Sequence, residues 1–139
     1  MAIIRDFKTD DYDALVGLWK ELELGRPERG DDLQVIKKSL SLGGKLLIME
    51  ENNELIGTAW ITNNGRRLYL HHMGVKRDQQ RKGYGSQLME EILKFAASRH
   101  MQIKLEVHNH NMAARKLYEK FGFGDLEGYR VLINRNVAR

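Results

Sequence analysis

Gly74-Val75-Lys76-Arg77-Asp78-Gln79-Gln80-Arg81-Lys82-Gly83-Tyr84-Gly85-Ser86 is the stretch on which the fold turns. It joins an apolar run ending at Val75 to a segment of helical period that starts at Tyr84. There Leu88, Met89, Ile92, Leu93 and Ala96 fall on one face, and Gln87, Glu90, Glu91 and Lys94 on the other. A helix entered this way presents unpaired backbone N–H groups and a partial positive charge. Gly83 and Gly85 let a ligand come close to the backbone, because no Cβ intervenes. Arg81 and Lys82 add fixed positive charge at the same place. Together these features describe a cradle for phosphate or pyrophosphate. A glycine-rich helix entry without a ligand would have no use for the two cations. The stretch is not a Walker loop, since G-x-x-x-x-G-K-[ST] is absent. It is not a dinucleotide fingerprint either: Leu88 stands at the third glycine position, and the motif lies mid-chain rather than opening a βαβ unit.

Upstream, Leu46 to Glu50, Glu54 to Ile61 and Leu68 to Val75 read as strands. Asn52-Asn53 and Asn63-Asn64-Gly65 are the turns between them, so the three predict an antiparallel meander. Ile3 to Phe7 reads as a first strand. Asp10 is placed to cap a helix carrying Tyr12, Leu15, Leu18, Trp19 and Leu22 at helical spacing, and Gly25-Arg26-Pro27 stops it. Asp31 is placed to cap a second helix with Leu33, Ile36, Lys37 and Leu40 on one side, ended by Gly43-Gly44. Downstream, Ile103, Leu105 and Val107 alternate within a strand over 102–107. Asn111 to Phe121 predicts a helix with Ala114, Leu117, Tyr118 and Phe121 on one face. Gly128 to Asn134 reads as a last strand, with a smaller one near Gly124. The expectation is an α/β domain with a mixed sheet, in which Leu68 to Val107 forms a right-handed parallel crossover.

The 139 residues make room for one domain, residues 1–139. Hydrophobic residues are 42% and charged residues 30%, which excludes disordered, collagenous and low-complexity classes. No apolar run approaches the roughly 20 residues that span a bilayer, and Met1-Ala2-Ile3-Ile4-Arg5-Asp6 lacks the layout of a signal peptide. The sequence contains no cysteine, which excludes disulfides, thiolate metal sites and cysteine nucleophiles and makes a reducing cytoplasm the default location. The net charge of +4 comes from 23 basic and 19 acidic side chains, interspersed along the chain. That is a solvated surface rather than the concentrated stripe of a nucleic-acid module, and no membrane or nucleic-acid partner is expected. Of the five histidines, His71 and His72 should point apart on a strand. His108 and His110 flank Asn109 without a third ligand, so no metal is expected.

Gln80-Arg81-Lys82-Gly83-Tyr84-Gly85 resembles the Q/R-x-x-G-x-G/A acetyl-CoA motif of the GNAT superfamily of N-acetyltransferases. Asn111-Met112-Ala113-Ala114-Arg115-Lys116-Leu117-Tyr118-Glu119-Lys120-Phe121-Gly122-Phe123 resembles the family's second signature, N-x-x-A-x-x-x-Y-x-x-x-G-F. Both occur in the family's order, and the element order of nearly the whole chain is similar to that fold. The resemblance implies a central, mostly antiparallel sheet with a parallel βαβ crossover at two splayed strands that hold the cofactor.

It further implies acetyl-CoA as cosubstrate, without metal. The backbone of Gln80, Arg81, Lys82, Gly83, Tyr84, Gly85 and Ser86 would hold the pyrophosphate. The strand before it, at Met73, Gly74 and Val75, would pair with the pantetheine arm, and Asn111 would contact that arm while also serving as a helix cap. Tyr118 stands where the family commonly places its general acid, although a core aromatic fits the same helix face. Ordinary pKa values of about 10 for Tyr and roughly 8.5 for a thiol make hydrogen bonding to the leaving thiolate as reasonable as full proton transfer. The attacking amine must lose a proton. Alternation puts Tyr69, His71, Met73 and Val75 on one strand face and Leu70 and His72 on the other. His71 is therefore the candidate base if that face lines the cleft, a hydrogen-bonded structural histidine being the competing role; Glu106 is the rival base, and His72 is assigned to packing or to supporting a neighbouring site residue. In the family the acceptor, a small-molecule or peptide amine, is often held by the loop between the first two helices and by the last hairpin; here that loop is Gly25 to Asp32, whose charges suit a polar amine, although a solvated loop whose aspartates cap a helix is the favoured reading. The resemblance also allows a homodimer, although no stretch singles out an interface. A non-catalytic acyl-CoA sensor is the alternative reading. Lys120-Phe121-Gly122-Phe123-Gly124 has a faint RNA-recognition look, but it completes a helix ending in glycine.

Overall fold

Among the described residues five strands, β1 (Ile3–Asp6), β2 (Lys45–Glu51), β3 (Glu54–Asn63), β4 (Leu68–Val75) and β5 (Ile103–Leu105), form one sheet in chain order. The computed structural model describes residues 2–137, which pack as two compact units dividing between His108 and Asn109. Strands β1 to β4 are antiparallel neighbours, and β4 and β5 are parallel. The turns do what their side chains predict. Asn52 and Asn53 both take left-handed φ values, 53° and 63°, as a tight two-residue hairpin requires. Asn64 Oδ1 accepts from the backbone N–H of Arg66 at 2.9 Å and of Arg67 at 2.8 Å.

Helices α1 (Tyr12–Glu21) and α2 (Leu33–Ser41) pack on one face of the sheet, and α3 (Tyr84–Arg99) on the other. On the first face Leu15 and Trp19 of α1 and Ile36 of α2 are buried against Leu46, Ile48 and Trp60 of the sheet. Trp19 and Trp60 stack with ring centroids 5.6 Å apart, and the Trp60 indole N–H donates to Ser39 Oγ at 2.9 Å. Burying each such side chain contributes about 1.5–3 kcal/mol. On the second face Leu88, Met89 and Ile92 of α3 are fully buried, and Leu88 packs over Gly57.

The expected caps move by one residue. A short 3₁₀ turn at Thr9–Asp11 precedes α1, so the cap position is Asp11 rather than Asp10. The Asp11 carboxylate accepts from the Lys8 N–H at 2.7 Å and from the Arg5 guanidinium at 2.8 Å. Helix α2 is capped by Asp32, whose side chain accepts from Val35 N–H at 2.9 Å; Asp31 is left for another role.

In the second unit α4 (Met112–Lys120) is capped by Asn111, whose Oδ1 accepts from Ala114 N–H at 3.2 Å, and left-handed Gly122 follows its last turn. The strand expected over Gly128 to Asn134, and the smaller one near Gly124, do not form among the described residues. Tyr129, Val131, Leu132 and Ile133 stay exposed, Leu132 at 89%. Alternation alone does not make a strand: its N–H and C=O groups need a ladder partner, and none of the sheet's neighbouring pairs involves this segment. Strand β5 is also shorter than expected, ending at Leu105 instead of Val107.

Candidate functional site

The parallel pair holds together over Leu68–Ile103, Tyr69–Lys104 and Leu70–Leu105 only. Beyond that point β5 ends while β4 continues through His71 to Val75. The two strands therefore stop pairing midway along β4, which leaves backbone from His71 onward without a ladder partner on that side.

A bulge marks the same place. Strand β3 pairs Trp60 with His71 and Thr58 with Gly74, so one residue, Ala59, stands opposite two, His72 and Met73. His72 takes φ +39°, a conformation rare for a residue with a Cβ. The bulge resets the alternation. Strict alternation would put His71 and His72 on opposite faces; instead both rings lie against Trp60, at 5.9 and 5.7 Å, with their own centroids 6.1 Å apart. Sequence period could not show this, because a bulge inserts a residue without changing composition. Gly74 packs against Leu22: a Cβ would fall 2.7 Å from Leu22 Cδ1 and push that side chain aside.

His71 Nε2 is 2.8 Å from Thr62 Oγ1, and the ring stacks on Tyr69 at 4.8 Å. Burial holds its pKa below the ordinary value, the neighbouring His72 lowers it further, and Asp31 and Glu106 oppose the shift. Tyr69 Oη donates to Glu106 Oε2 at 2.5 Å, and burial followed by that bond raises the Tyr69 pKa. Glu106 and His71 thus flank one tyrosine.

His72 Nε2 lies 3.3 Å from Asp31 Oδ2, on the loop between α1 and α2. Asp31 Oδ2 also accepts from Arg26 N–H at 2.9 Å. Gly25 makes room for the pair, since a Cβ there would lie 2.7 Å from His72 Nε2 and 2.8 Å from Asp31 Oδ2. Trp19 meets the His72 ring edge-on at 5.1 Å; it is fully buried and its indole N–H has no hydrogen-bond partner among the described residues. Sequence pattern assigns Asp31 to a cap and His72 to packing or to supporting a neighbouring site residue, and no local signal connects residues so far apart in the chain.

After β4, a 3₁₀ turn at Arg77–Gln79 leads to α3. Gln80 Nε2 donates to Val75 O at 2.8 Å, which fastens the loop to the strand end. Arg81 and Gly83 are left-handed, at φ +66° and +83°. Gly83 is the cap residue of α3 and offers no side chain, so the N–H groups of Tyr84, Gly85 and Ser86 begin the helix uncapped. Nothing lies within 4 Å of the place where a Gly83 Cβ would stand. Arg81 and Lys82 are exposed, and Lys82 Nζ reaches Gln79 Oε1 at 3.0 Å. The Tyr84 phenol is turned away from the helix entry and donates to Glu51 Oε2 at 2.9 Å. In the second unit, Tyr118 meets Phe123 edge-on at 5.8 Å, and burial raises its pKa, so the phenol keeps its proton.

The parallel strand pair that stops beside a bulge and the uncapped, basic, glycine-bearing helix entry thus lie at the two ends of one segment, His71 to Gly83. The sequence profile of the acetyltransferase (GNAT) family matches residues 11–123, and the chain belongs to that family. It is 28% identical over 121 residues to an acetyltransferase of Pectobacterium atrosepticum, covering 86% of each chain. The fold is similar to that of a predicted acetyltransferase from Clostridium acetobutylicum solved with acetyl-CoA, at TM-score 0.73 and 21% identity over 96% of each chain. It is also similar to AAC(6′)-Iy in complex with the bisubstrate analogue CoA-S-monomethyl-acetylneamine, at TM-score 0.77 and 17% identity, over 96% of this chain and 97% of that one. The expected α/β, mixed-sheet fold of this superfamily is thereby shown, and acetyl transfer with acetyl-CoA as cosubstrate is the activity the family carries. Among the described residues no helix is long and apolar enough to cross a membrane.

Proposed function

We propose that the chain is a single acetyltransferase domain that transfers acetyl from acetyl-CoA to a primary amine by direct attack on the thioester. The family match runs across both compact units, which supports one domain. The observation that carries the reading is the end of β4–β5 pairing before the basic entry to α3. Backbone at Met73, Gly74 and Val75 lies beyond the last pair and suits the pantetheine arm. The Val75 carbonyl is already used by Gln80, so pairing there falls to the remaining backbone groups. The entry from Gln80 to Ser86 suits the pyrophosphate, with Gln80 acting as the brace that sets the loop and Arg81 and Lys82 supplying charge. Asn111 caps α4 through its side chain and its carbonyl accepts from Arg115 N–H at 3.0 Å, which leaves its own N–H for the cofactor arm.

Acetyl-CoA supplies the thioester. The amine nitrogen forms the new C–N bond and the C–S bond breaks. Tyr118, kept protonated by burial, donates a proton or a hydrogen bond to the departing thiolate. Proton removal from the incoming ammonium falls to the face of β4 that carries the histidines, with Glu106 beside it. AAC(6′)-Iy is solved with the bisubstrate analogue CoA-S-monomethyl-acetylneamine, which supports a small-molecule amine as acceptor.

The test is an isothermal titration of acetyl-CoA, then thiol release with neamine, free lysine and a peptide with a free N-terminus. Binding in the micromolar range with turnover of one amine is the expected result. Binding without turnover of any amine would favour the sensor reading. Gly83→Glu, which places a carboxylate at the pyrophosphate, should weaken acetyl-CoA by about a hundredfold or more; unchanged affinity would remove the cradle from this loop.

A further inference from the structure

We propose that His72, oriented by Asp31, is the base that takes the proton from the acceptor ammonium. The inference rests on the amine-transfer reading above and goes beyond it by naming the group and its partner.

Three features single out this imidazole. First, it sits on the bulge of β4, where the chain adopts a left-handed φ of +39° and the strand loses its β5 neighbour. Strain of this kind persists only where surrounding structure holds it, and bulges beside active sites re-aim a side chain. Here the bulge turns His72 to the same side as His71, against Trp60. Second, a carboxylate is brought to it from the loop between α1 and α2. Asp31 is fixed by Arg26 N–H, lies 3.3 Å from His72 Nε2, and leaves the capping of α2 to Asp32. Gly25 is the residue without a Cβ that allows this approach. Third, the other candidates are engaged: His71 Nε2 with Thr62 and Glu106 with the Tyr69 phenol.

The carboxylate next to Nε2 favours the tautomer with the proton on Nε2, which leaves the lone pair on Nδ1. In the step proposed, one N–H bond of R–NH3+ breaks and its proton goes to Nδ1, giving the free amine and an imidazolium facing Asp31. The amine adds to the thioester carbonyl. Its second proton leaves as the C–S bond breaks and ends on the thiolate, and His72 returns its proton to water. Around His72 the titratable groups are Asp31 from the loop and His71 from its own strand; Trp19 of α1 and Trp60 of β3 are neutral, and Trp19 closes one edge of the ring. Asp31 is a positioning residue, because it acts through the imidazole.

Two measurements test this. Long-range 1H–15N correlation spectra of the full chain read the His72 tautomer and need no acceptor. The Nε2–H form is expected in the parent and a mixture in Asp31→Asn; a mixed tautomer in the parent would overturn the proposal. The second measurement compares the panel amine that is turned over, protonated at neutral pH, with hydroxylamine, which is largely neutral there, after subtraction of the uncatalysed reaction. His72→Gln should lower kcat for the protonated amine about a hundredfold, leave KM for acetyl-CoA unchanged and spare hydroxylamine. Asp31→Asn, which disturbs the pair while leaving the imidazole in place, and Gly25→Ala, which crowds both partners, should do the same to a smaller degree. Equal losses with both nucleophiles, or full activity of His72→Gln, would overturn it. If the parent binds acetyl-CoA but transfers to no amine, the amine-transfer reading fails instead, and the tautomer measurement still decides whether Asp31 orients His72.

Discussion

His71 and His72 are adjacent, but they meet different neighbours. His71 is held against Thr62 and Tyr69, and burial disfavours its charged form. The folded chain therefore binds a proton at His71 less readily than the unfolded chain. Stability from the neutral ring is fully present above about pH 6.5 and is lost as pH falls through the depressed folded value. Thermal unfolding of the parent between about pH 7.5 and 5.5 should show a falling Tm over that window. His71→Gln, which keeps a polar group opposite Thr62 and cannot charge, should show a smaller fall; an equal fall would mean that His71 titrates normally. At this scale the sequence was legible where chemistry is local. Gly83, Arg81 and Lys82 announced an uncapped, basic helix entry because glycine and cations act at their own positions. Asp31 and Asp32 were not separable by sequence, since either can cap a helix; the choice is made by His72, far along the chain in a different element.

Helices and strands were legible in proportion to how much of their stability comes from their own pattern. The period of α3 and the paired asparagines that bound the apolar runs of β2 to β4 each specify an element, and the antiparallel meander followed. The bulge in β4 was invisible because it changes register without changing residue type. The segment over Gly128 to Asn134 has the composition of a strand but no ladder partner, and its apolar side chains remain in solvent. Cap identity at α2 is a prediction at this scale. Asp32→Ala removes the acceptor for Val35 N–H and should cost about 1 kcal/mol in urea unfolding. Asp31→Asn should cost clearly less, because Asp31 makes no cap bond. A reversal of that order would return the cap to Asp31.

At the scale of the whole sheet, the far edge is fastened by charge. Arg5 of β1 donates to both Asp11 carboxylate oxygens at 2.8 Å and to Glu50 of β2 at 3.1 Å, so one guanidinium joins the first strand, the turn before α1 and the second strand. The three side chains are 14–25% exposed, which moderates the interaction through solvent screening without removing it. The hydrogen bond from Arg5 is the main cause that holds Asp11 below the ordinary carboxylate value. A depressed folded pKa means that this stability is present above about pH 4 and is lost as pH falls through the folded value. Arg5→Met keeps much of the apolar stem and leaves two carboxylates facing each other without the cation. It should lower stability by about 1–2 kcal/mol near neutral pH, more than a surface ion pair and less than a fully buried one. The difference between parent and variant should shrink once the carboxylates are protonated. Urea unfolding of both proteins near neutral pH and in acid measures that difference directly. A gap that stays constant across the titration would mean that Arg5 contributes by packing its stem rather than by pairing its charge.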